Sequence, residues 1–306
     1  MDKIIAIDLG SNTLRVAYVI NQNGIFSVQK SYEAIVGSAR GLSQSGVISS
    51  EACERIYSAL NIIKREFDFE NFRHIAVATA AFRIAKNTDE IFAEILDRFG
   101  IKFRLISGES EALFINMGVN NALNRLNIVC NNPVFIDLGG ASSEISSSQK
   151  FQSFNFGIIS FYEAFKTPKL LDDNVKFVVK DAKQFLDSLH GDIIVLTAGV
   201  ATTMAALKLG LNYAKYDANL INGTELNVDE FYNQRQMLID MPQDKAKVLV
   251  GENRQSLIIA GITLLYGLLH DNKAKLIAID DGLREGIAVA YFKNEFNKIL
   301  NHKEKK

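Results

Sequence analysis

One pattern occurs twice in this sequence, and it narrows the fold more than any other feature. Ile5-Ala6-Ile7-Asp8-Leu9-Gly10-Ser11-Asn12-Thr13 is echoed by Phe135-Ile136-Asp137-Leu138-Gly139-Gly140-Ala141-Ser142-Ser143-Glu144. In each copy an apolar run of strand length ends on an aspartate, turns on small residues and enters a second strand. The recurrence argues for a duplicated domain. Strand-like and helix-like segments alternate through the rest of the chain, which argues α/β. A length of 306 residues is comfortable for two such domains. The expected division is 1–119 for the first and 120–288 for the second, with the seam in the polar, Asn-rich 118–132. A terminal helix, 289–306, is expected to pack back on the first.

Strands are expected near 3–9, 13–20, 25–35, 73–79, 101–106, 143–156, 192–197 and 275–279. Helices are expected at 50–67, 80–85, 88–98, 171–189, 198–208, 227–240 and 243–270. Ser107 reads as the N-cap of a further helix to about 121, and Asp280-Asp281-Gly282 starts a terminal helix that ends in a lysine-rich tail. The Gly- and Ser-rich 37–48 reads as a loop.

A net charge of -1 gives no global electrostatic reason to expect nucleic acid or anionic membrane as a partner. No uninterrupted apolar run approaches the about 18 residues of a membrane span. Met1-Asp2-Lys3-Ile4 enters a strand without the apolar core of a signal peptide. Cys53 and Cys130 read as two buried thiols of a reducing compartment, so a cytoplasmic protein is expected. His74, His190, His270 and His302 show no ligand spacing and are assigned to surface or core packing. There is no P-loop and no Gly-x-Ser-x-Gly elbow.

Chemistry is expected where the repeated strands end. Asp8 and Asp137 sit at the C-terminal ends of apolar strands, where α/β folds place ligands. A single Asp before glycine is more simply a turn former, but two matched copies reverse that preference. Gly10-Ser11-Asn12 and Gly139-Gly140-Ala141-Ser142 can aim backbone N–H groups at phosphate oxygens, or can be plain hairpin turns. Ala198-Gly199-Val200, at a strand-to-helix junction, is a weaker third seat. Glu111 and Glu144 are candidates for acid–base work and metal binding. At about 100° per residue Glu109 and Glu111 lie roughly 200° apart, so only one can face a given cleft. Arg83, Arg254 and Arg284 can reach phosphate, or can be ordinary surface arginines.

These residues resemble, in order and over nearly the whole chain, the exopolyphosphatase / guanosine pentaphosphate phosphohydrolase family of the actin-like, sugar-kinase-like ATPase superfamily. The stretches are Ala6–Thr13, Ala78–Asn87, Ile106–Ala112, Ile136–Glu144 and Gly282–Gly286, of which the second and third are the most specific. The resemblance implies two ribonuclease-H-like domains facing each other across a cleft. It implies Mg²⁺-dependent release of terminal phosphate from polyphosphate or guanosine pentaphosphate, with potassium as an activator and a homodimer as the assembly. By motif position it selects Glu111 as the catalytic glutamate that handles the attacking water. It gives Asp137, Glu144 and Asp8 to the metal, and Ser11, Asn12, Thr13, Arg83, Gly139, Gly140, Ser142, Gly199 and Arg254 to the phosphates.

Some positions depart from the family pattern. A third glycine is usual where Ala141 stands, and threonine where Ser143 stands. Gly-Gly-Thr or Ser-Gly-Thr is usual at Ala198-Gly199-Val200, arginine at Gly37 and serine at Ile279. These departures motivate a second reading, a non-catalytic sensor of guanosine tetraphosphate; a small-molecule kinase of the same superfamily is a further alternative, which the glycine-poor Ala198-Gly199 loop does not encourage. Long members continue into a helical C-terminal domain, so this chain looks like the short form.

Overall fold

The structure, a computed structural model, describes residues 2–301; His302 and the lysine-rich tail lie outside them. The chain divides into two compact units, one built from the residues up to Asn121 together with those from Gly282 onward, the other from Ala122–Asp281.

The first unit holds a five-stranded sheet of β1 (Asp2–Leu9), β2 (Thr13–Gln22), β3 (Ile25–Ile35), β4 (His74–Ala78) and β5 (Phe103–Leu105) in the order β3-β2-β1-β4-β5. The first three strands run antiparallel, and β4 and β5 join parallel to β1. In β1, Ile4, Ile5, Ala6, Ile7 and Leu9 are all fully buried. Its apolar run therefore needs no alternation, as expected for a central strand covered on both faces. Edge strand β3 has no buried residue. The helices are α1 (Leu42–Ser45), α2 (Ser50–Glu66), α3 (Ala80–Ile84), α4 (Thr88–Phe99) and α5 (Gly108–Arg125), whose last turn enters the second unit. Helix α2 buries Ile56, Leu60 and Ile63 on one face, and Ser49 caps it by accepting the Ala52 N–H.

The second unit repeats this plan. Its strands are β6 (Pro133–Leu138), β7 (Ser143–Ser146), β8 (Phe151–Phe154), β9 (Ile193–Thr197), β10 (Thr224–Leu226) and β11 (Lys275–Ala278), in the order β10-β11-β9-β6-β7-β8. Read from the other edge, β8-β7-β6-β9-β11 matches β3-β2-β1-β4-β5 in order and in strand sense. Strand β10 is an antiparallel addition. Both units thus carry the ribonuclease-H-like sheet. The helices here are α6 (Ile158–Phe165), α7 (Pro168–Val178), α8 (Lys180–Asp187), α9 (Ala198–Lys208), α10 (Ala218–Ile221), α11 (Val228–Asp240), α12 (Gln243–Val250) and α13 (Gln255–Leu269).

The chain then returns to the first unit as α14 (Leu283–Phe292) and α15 (Phe296–Leu300). Residues 282–288 therefore belong with the first unit and not with the second, where sequence reading put them. Two glycines make this packing possible. A Cβ on Gly286 would lie 1.7 Å from Phe114 O, and one on Gly118 2.3 Å from Gly282 O, so α5 and α14 touch backbone to backbone.

Other expectations need correcting. The helix expected over 171–189 is two, joined at Val179. The one expected over 243–270 breaks at Gly251 (φ 100°) and Asn253 (φ 56°). Strand β10 and helix α10 were not foreseen, and 37–48 contains the single turn α1. Cys53 and Cys130 are free but only half-buried. Among the described residues no single helix is long and apolar enough to cross a membrane.

Candidate active site

In the first unit Asp8 ends the buried run of β1, and the chain turns at Gly10-Ser11-Asn12. The Gly10 N–H closes the turn on Thr13 O at 2.8 Å. The turn's carbonyls hold the following loop: Asn12 O accepts the N–H groups of Val36 and Gly37 at 2.9 Å, and Ser11 O accepts that of Ala39 at 2.8 Å. The Asn12 Oδ1 atom and the hydroxyl of fully buried Ser38 have no hydrogen-bond partner among the described residues. Polar atoms buried in this way normally meet a partner, water or ligand.

Beside the turn, Thr79 donates its N–H to Leu9 O at 3.2 Å. Ser107 caps α5 by accepting the Ser110 N–H at 3.1 Å, which places Glu109 and Glu111 in the first turn. Glu111 is buried and Glu109 half-exposed. The Glu111 carboxylate takes a hydrogen bond and ion pair from Arg83 Nη1 at 2.8 Å and another hydrogen bond from the Thr79 side chain. Burial pushes the Glu111 carboxyl above the usual glutamate range, against the downward pull of Arg83. Arg83 also donates to Ile106 O at 2.9 Å. Arg83, expected to clamp phosphate, is paired with Glu111 in this structure.

In the second unit the Asp137 hairpin is closed by the same bond as the first copy. The Gly139 N–H closes on Ser142 O at 3.0 Å, as Gly10 does on Thr13. The first glycine of each turn thus gives its N–H to the hairpin, and donors for an anion come from the residues after it. Gly139 O and Gly140 O accept the first N–H groups of α6 from Ile158 and Ile159. Gly157 seats that helix against the turn, since a Cβ there would lie 2.4 Å from Gly140 C.

Register sharpens the comparison between the copies. Asp8 lies directly opposite Arg15, and Arg15 opposite Glu33, to which its Nε is ion-paired at 2.9 Å. The corresponding row in the second unit is Asp137, Glu144, Ser153. The row with alternating charges has become one with two carboxylates side by side, on one face of the sheet. Glu144 is buried and accepts from Ser153 Oγ at 2.8 Å. Opposed like charges favour a cation, and two carboxylates completed by water and phosphate oxygens suit Mg²⁺. Among the described residues no group of three or more His, Cys, Asp or Glu side chains is placed to hold a metal. Asp8 belongs to the other row, opposite a base.

The third seat is strained. Ala198 adopts φ 66° at the junction of β9 and α9, a region L-residues avoid. Arg254 Nη2 reaches Gly199 O at 3.4 Å and Thr203 Oγ1 at 3.2 Å, and the guanidinium lies over the Tyr213 ring. Gly199 and Arg254, separately read as phosphate residues, are therefore neighbours. Val200 is fully buried against Gly261 of α13, so its missing hydroxyl is a core exchange and not a lost loop contact. The Ser143 hydroxyl donates to Phe156 O at 2.7 Å. Arg284 is buried on Glu285, whose other oxygen caps α14 at the Gly282 N–H. Sequence reasoning missed the contacts of Thr79, Ser153 and Gly157. Only Thr79 had a usable signal, its place in the Ala78–Asn87 stretch.

Two copies of this sheet with ligand-type turns at the ends of their first strands define the actin-like, sugar-kinase-like ATPase class of fold. The chain belongs to the Ppx/GppA phosphatase family, which matches residues 19–295. It is 28% identical over 295 residues to the guanosine-5'-triphosphate,3'-diphosphate pyrophosphatase of Pseudoalteromonas translucida, covering 92% of this chain and 57% of that protein. It is 30% identical over 193 residues to the Vibrio cholerae protein of the same name, covering 60% of this chain and 38% of that one. The chain spans 57–58% of the length of the two Pseudoalteromonas relatives it matches. Among solved structures, the Aquifex aeolicus member of the Ppx/GppA family superposes with a TM-score of 0.78 at 25% identity, covering 99% of both chains. An exopolyphosphatase from Cytophaga hutchinsonii superposes with a TM-score of 0.84 at 20% identity, covering 96% of this chain and 98% of that one.

Proposed function

We propose that the protein is a phosphoanhydride hydrolase that releases the terminal phosphate of inorganic polyphosphate or guanosine pentaphosphate by attack of water. The observation that carries this reading is Glu111, a buried carboxylate with a raised proton affinity, held in one orientation by Arg83 and Thr79. A base in this setting accepts a proton more readily than a solvated glutamate does. The names of the relatives and of the structural neighbours support the substrate class.

Roles follow unit by unit. In the first unit Glu111 orients and deprotonates the water, Arg83 and Thr79 fix Glu111, and Ser11, Asn12 and Thr13 offer donors to phosphate oxygens. In the second, Gly140, Ala141 and Ser142 follow the closed Gly139 and receive the phosphate chain, while Arg254 and Gly199 form a further anchor. Asp137 and Glu144 would hold Mg²⁺, which when bound supplies positive charge to the phosphate oxygens. The half-buried free thiols Cys53 and Cys130 fit a reducing, cytoplasmic setting.

The test is phosphate release from both substrates, with and without Mg²⁺, by wild type and Glu111→Gln. Loss of a general base costs about 10²–10⁴-fold in turnover. A fully active Glu111→Gln protein removes the assignment. Tight nucleotide binding by a folded wild type without turnover of any phosphoanhydride favours the sensor reading instead.

A further inference from the structure

A cavity of about 400 Å³ lies entirely within the second unit, among α7, α11 and α13. It belongs to neither phosphate-type turn and contains none of the residues assigned above to phosphate, metal or water. Its shape depends on Gly267: a Cβ there would sit 2.6 Å from Val175 Cγ2, so α13 and α7 come unusually close on that side. Val175, Phe231 and Ile262, all buried, give it apolar walls.

The polar content of the cavity is asymmetric. Arg235 lines it and is only 8% exposed. Three bonds hold its guanidinium: Nε donates to Thr263 Oγ1 at 2.7 Å, and Nη2 donates to Asp172 Oδ1 at 2.8 Å and to Pro168 O at 3.3 Å. Thr263 in turn donates to Ile259 O at 2.8 Å, which fixes the acceptor as well. Nη1 makes no hydrogen bond among the described residues. The rim carries Lys176, which has no ion pair among the described residues, and exposed Tyr232, Tyr266 and His270. The Tyr266 and His270 rings lie 5.7 Å apart. The Lys, Arg, Asp and Glu residues lining the cavity are Arg235 and Lys176 against Asp172 alone. Asp172 is already engaged by Arg235.

We propose that this cavity is a second binding site, for a small organic anion that carries an aromatic ring on a carboxylate or phosphate head. The head meets Arg235 Nη1 and Lys176. The ring enters between the tyrosines and lies on Val175, Phe231 and Ile262. The volume falls within the roughly 300–1,000 Å³ range of small-molecule pockets, and apolar walls with a few fixed polar groups are the usual lining of such sites. A pre-ordered guanidinium loses little freedom on binding, which favours an anionic head over a neutral one.

The experiment uses the full chain and ligand-observed NMR with matched probes: 4-hydroxyphenylacetate and phenyl phosphate as anions, 4-hydroxyphenylacetamide as the neutral counterpart. At least one anion is expected to bind at millimolar concentration or below, with the amide at least about tenfold weaker. Lys176→Glu, on an exposed side chain, is expected to weaken the anion about tenfold, and Tyr266→Ala comparably, each at an unchanged melting temperature. Arg235→Gln serves as a further probe only if its melting temperature is retained. Failure of both anions to bind overturns the proposal, as does equal binding of the amide. Anion binding that survives Lys176→Glu and Tyr266→Ala also overturns it, by placing the ligand elsewhere, including at the phosphate-type turns.

Discussion

The pair Arg83–Glu111 makes a prediction that can be worked through without assuming the reaction. Glu111 is buried, and its carboxyl holds a proton more tightly than usual because desolvation outweighs the charge of Arg83. Arg83→Met removes a cation at 2.8 Å and one of the hydrogen bonds to the carboxylate. Breaking a fully buried ion pair costs about 3–5 kcal/mol, whereas exposed pairs are worth about 0–1. The Arg83 side chain keeps 24% exposure and that of Glu111 11%, so the pair lies between these limits. A coupling of about 1–2 kcal/mol is therefore expected. The sign with pH follows from linkage. A carboxyl raised in the folded state binds more protons there than in the unfolded chain, so its presence lowers stability as pH rises above the ordinary glutamate value of 4.5. Removing Arg83 raises the carboxyl further and extends that window upward. The cost of Arg83→Met should thus be small at about pH 4, where Glu111 can keep its proton, and larger at about pH 8. Urea denaturation across this range, for wild type, Arg83→Met, Glu111→Gln and the double variant, measures it. In the Glu111→Gln background the Arg83 cost should lose its pH dependence. A cost independent of pH, or equal in both backgrounds, refutes the reasoning. In turnover, the acidic limb of kcat/KM should move to higher pH in Arg83→Met.

Three shorter predictions concern the second unit. Gly157→Ala forces a Cβ to within 2.4 Å of Gly140 C, so the turn must shift; phosphate release should fall on the order of 10²-fold, as for an about 1 Å misplacement, and unaltered turnover would remove Gly140 from the site. Ala198→Gly relieves a left-handed residue at φ 66°; strain of about 1–2 kcal/mol less the extra chain entropy of glycine leaves a net stabilisation of about 0.5–1 kcal/mol, checked by urea denaturation, and a destabilised variant contradicts the strain. Mg²⁺ should raise the melting temperature of wild type but not of Asp137→Asn or Glu144→Gln; a shift that survives both substitutions moves the metal elsewhere.

Much of the fold was legible because the repeated strands are buried on both faces. An apolar run such as Ile4–Ile7 has one reading, and the turn residues that end it state where it stops. Boundaries failed where the cause is tertiary. Nothing in the local sequence of Gly282–Arg284 says that α14 returns to the first sheet. That follows from Gly286 meeting Phe114 O, more than 170 residues away in the chain. The break at Gly251 was visible as a glycine, but an apolar face on either side of it outweighed that signal. In the site, residue types were legible and partnerships were not. Arginine chemistry pointed Arg83 to phosphate. In the structure it also pairs with Glu111, a partnership set by how α3 and α5 pack and not by residue type.

Register carries the last step. The two copies share the spacing Asp-Leu-Gly, turn, strand, and the same Gly N–H closes both turns. They differ in the row beyond the turn, where Arg15 and Glu33 in one stand at the positions of Glu144 and Ser153 in the other. A duplicated hairpin kept for structure alone has no reason to exchange a charge-balanced row for two adjacent carboxylates, since like charges directly opposite are destabilising. The exchange makes sense if the second row answers to a bound cation and the first does not. Asp8 stands opposite a base and Asp137 opposite a carboxylate, so if a cation binds, the second row is where the charge pattern favours it.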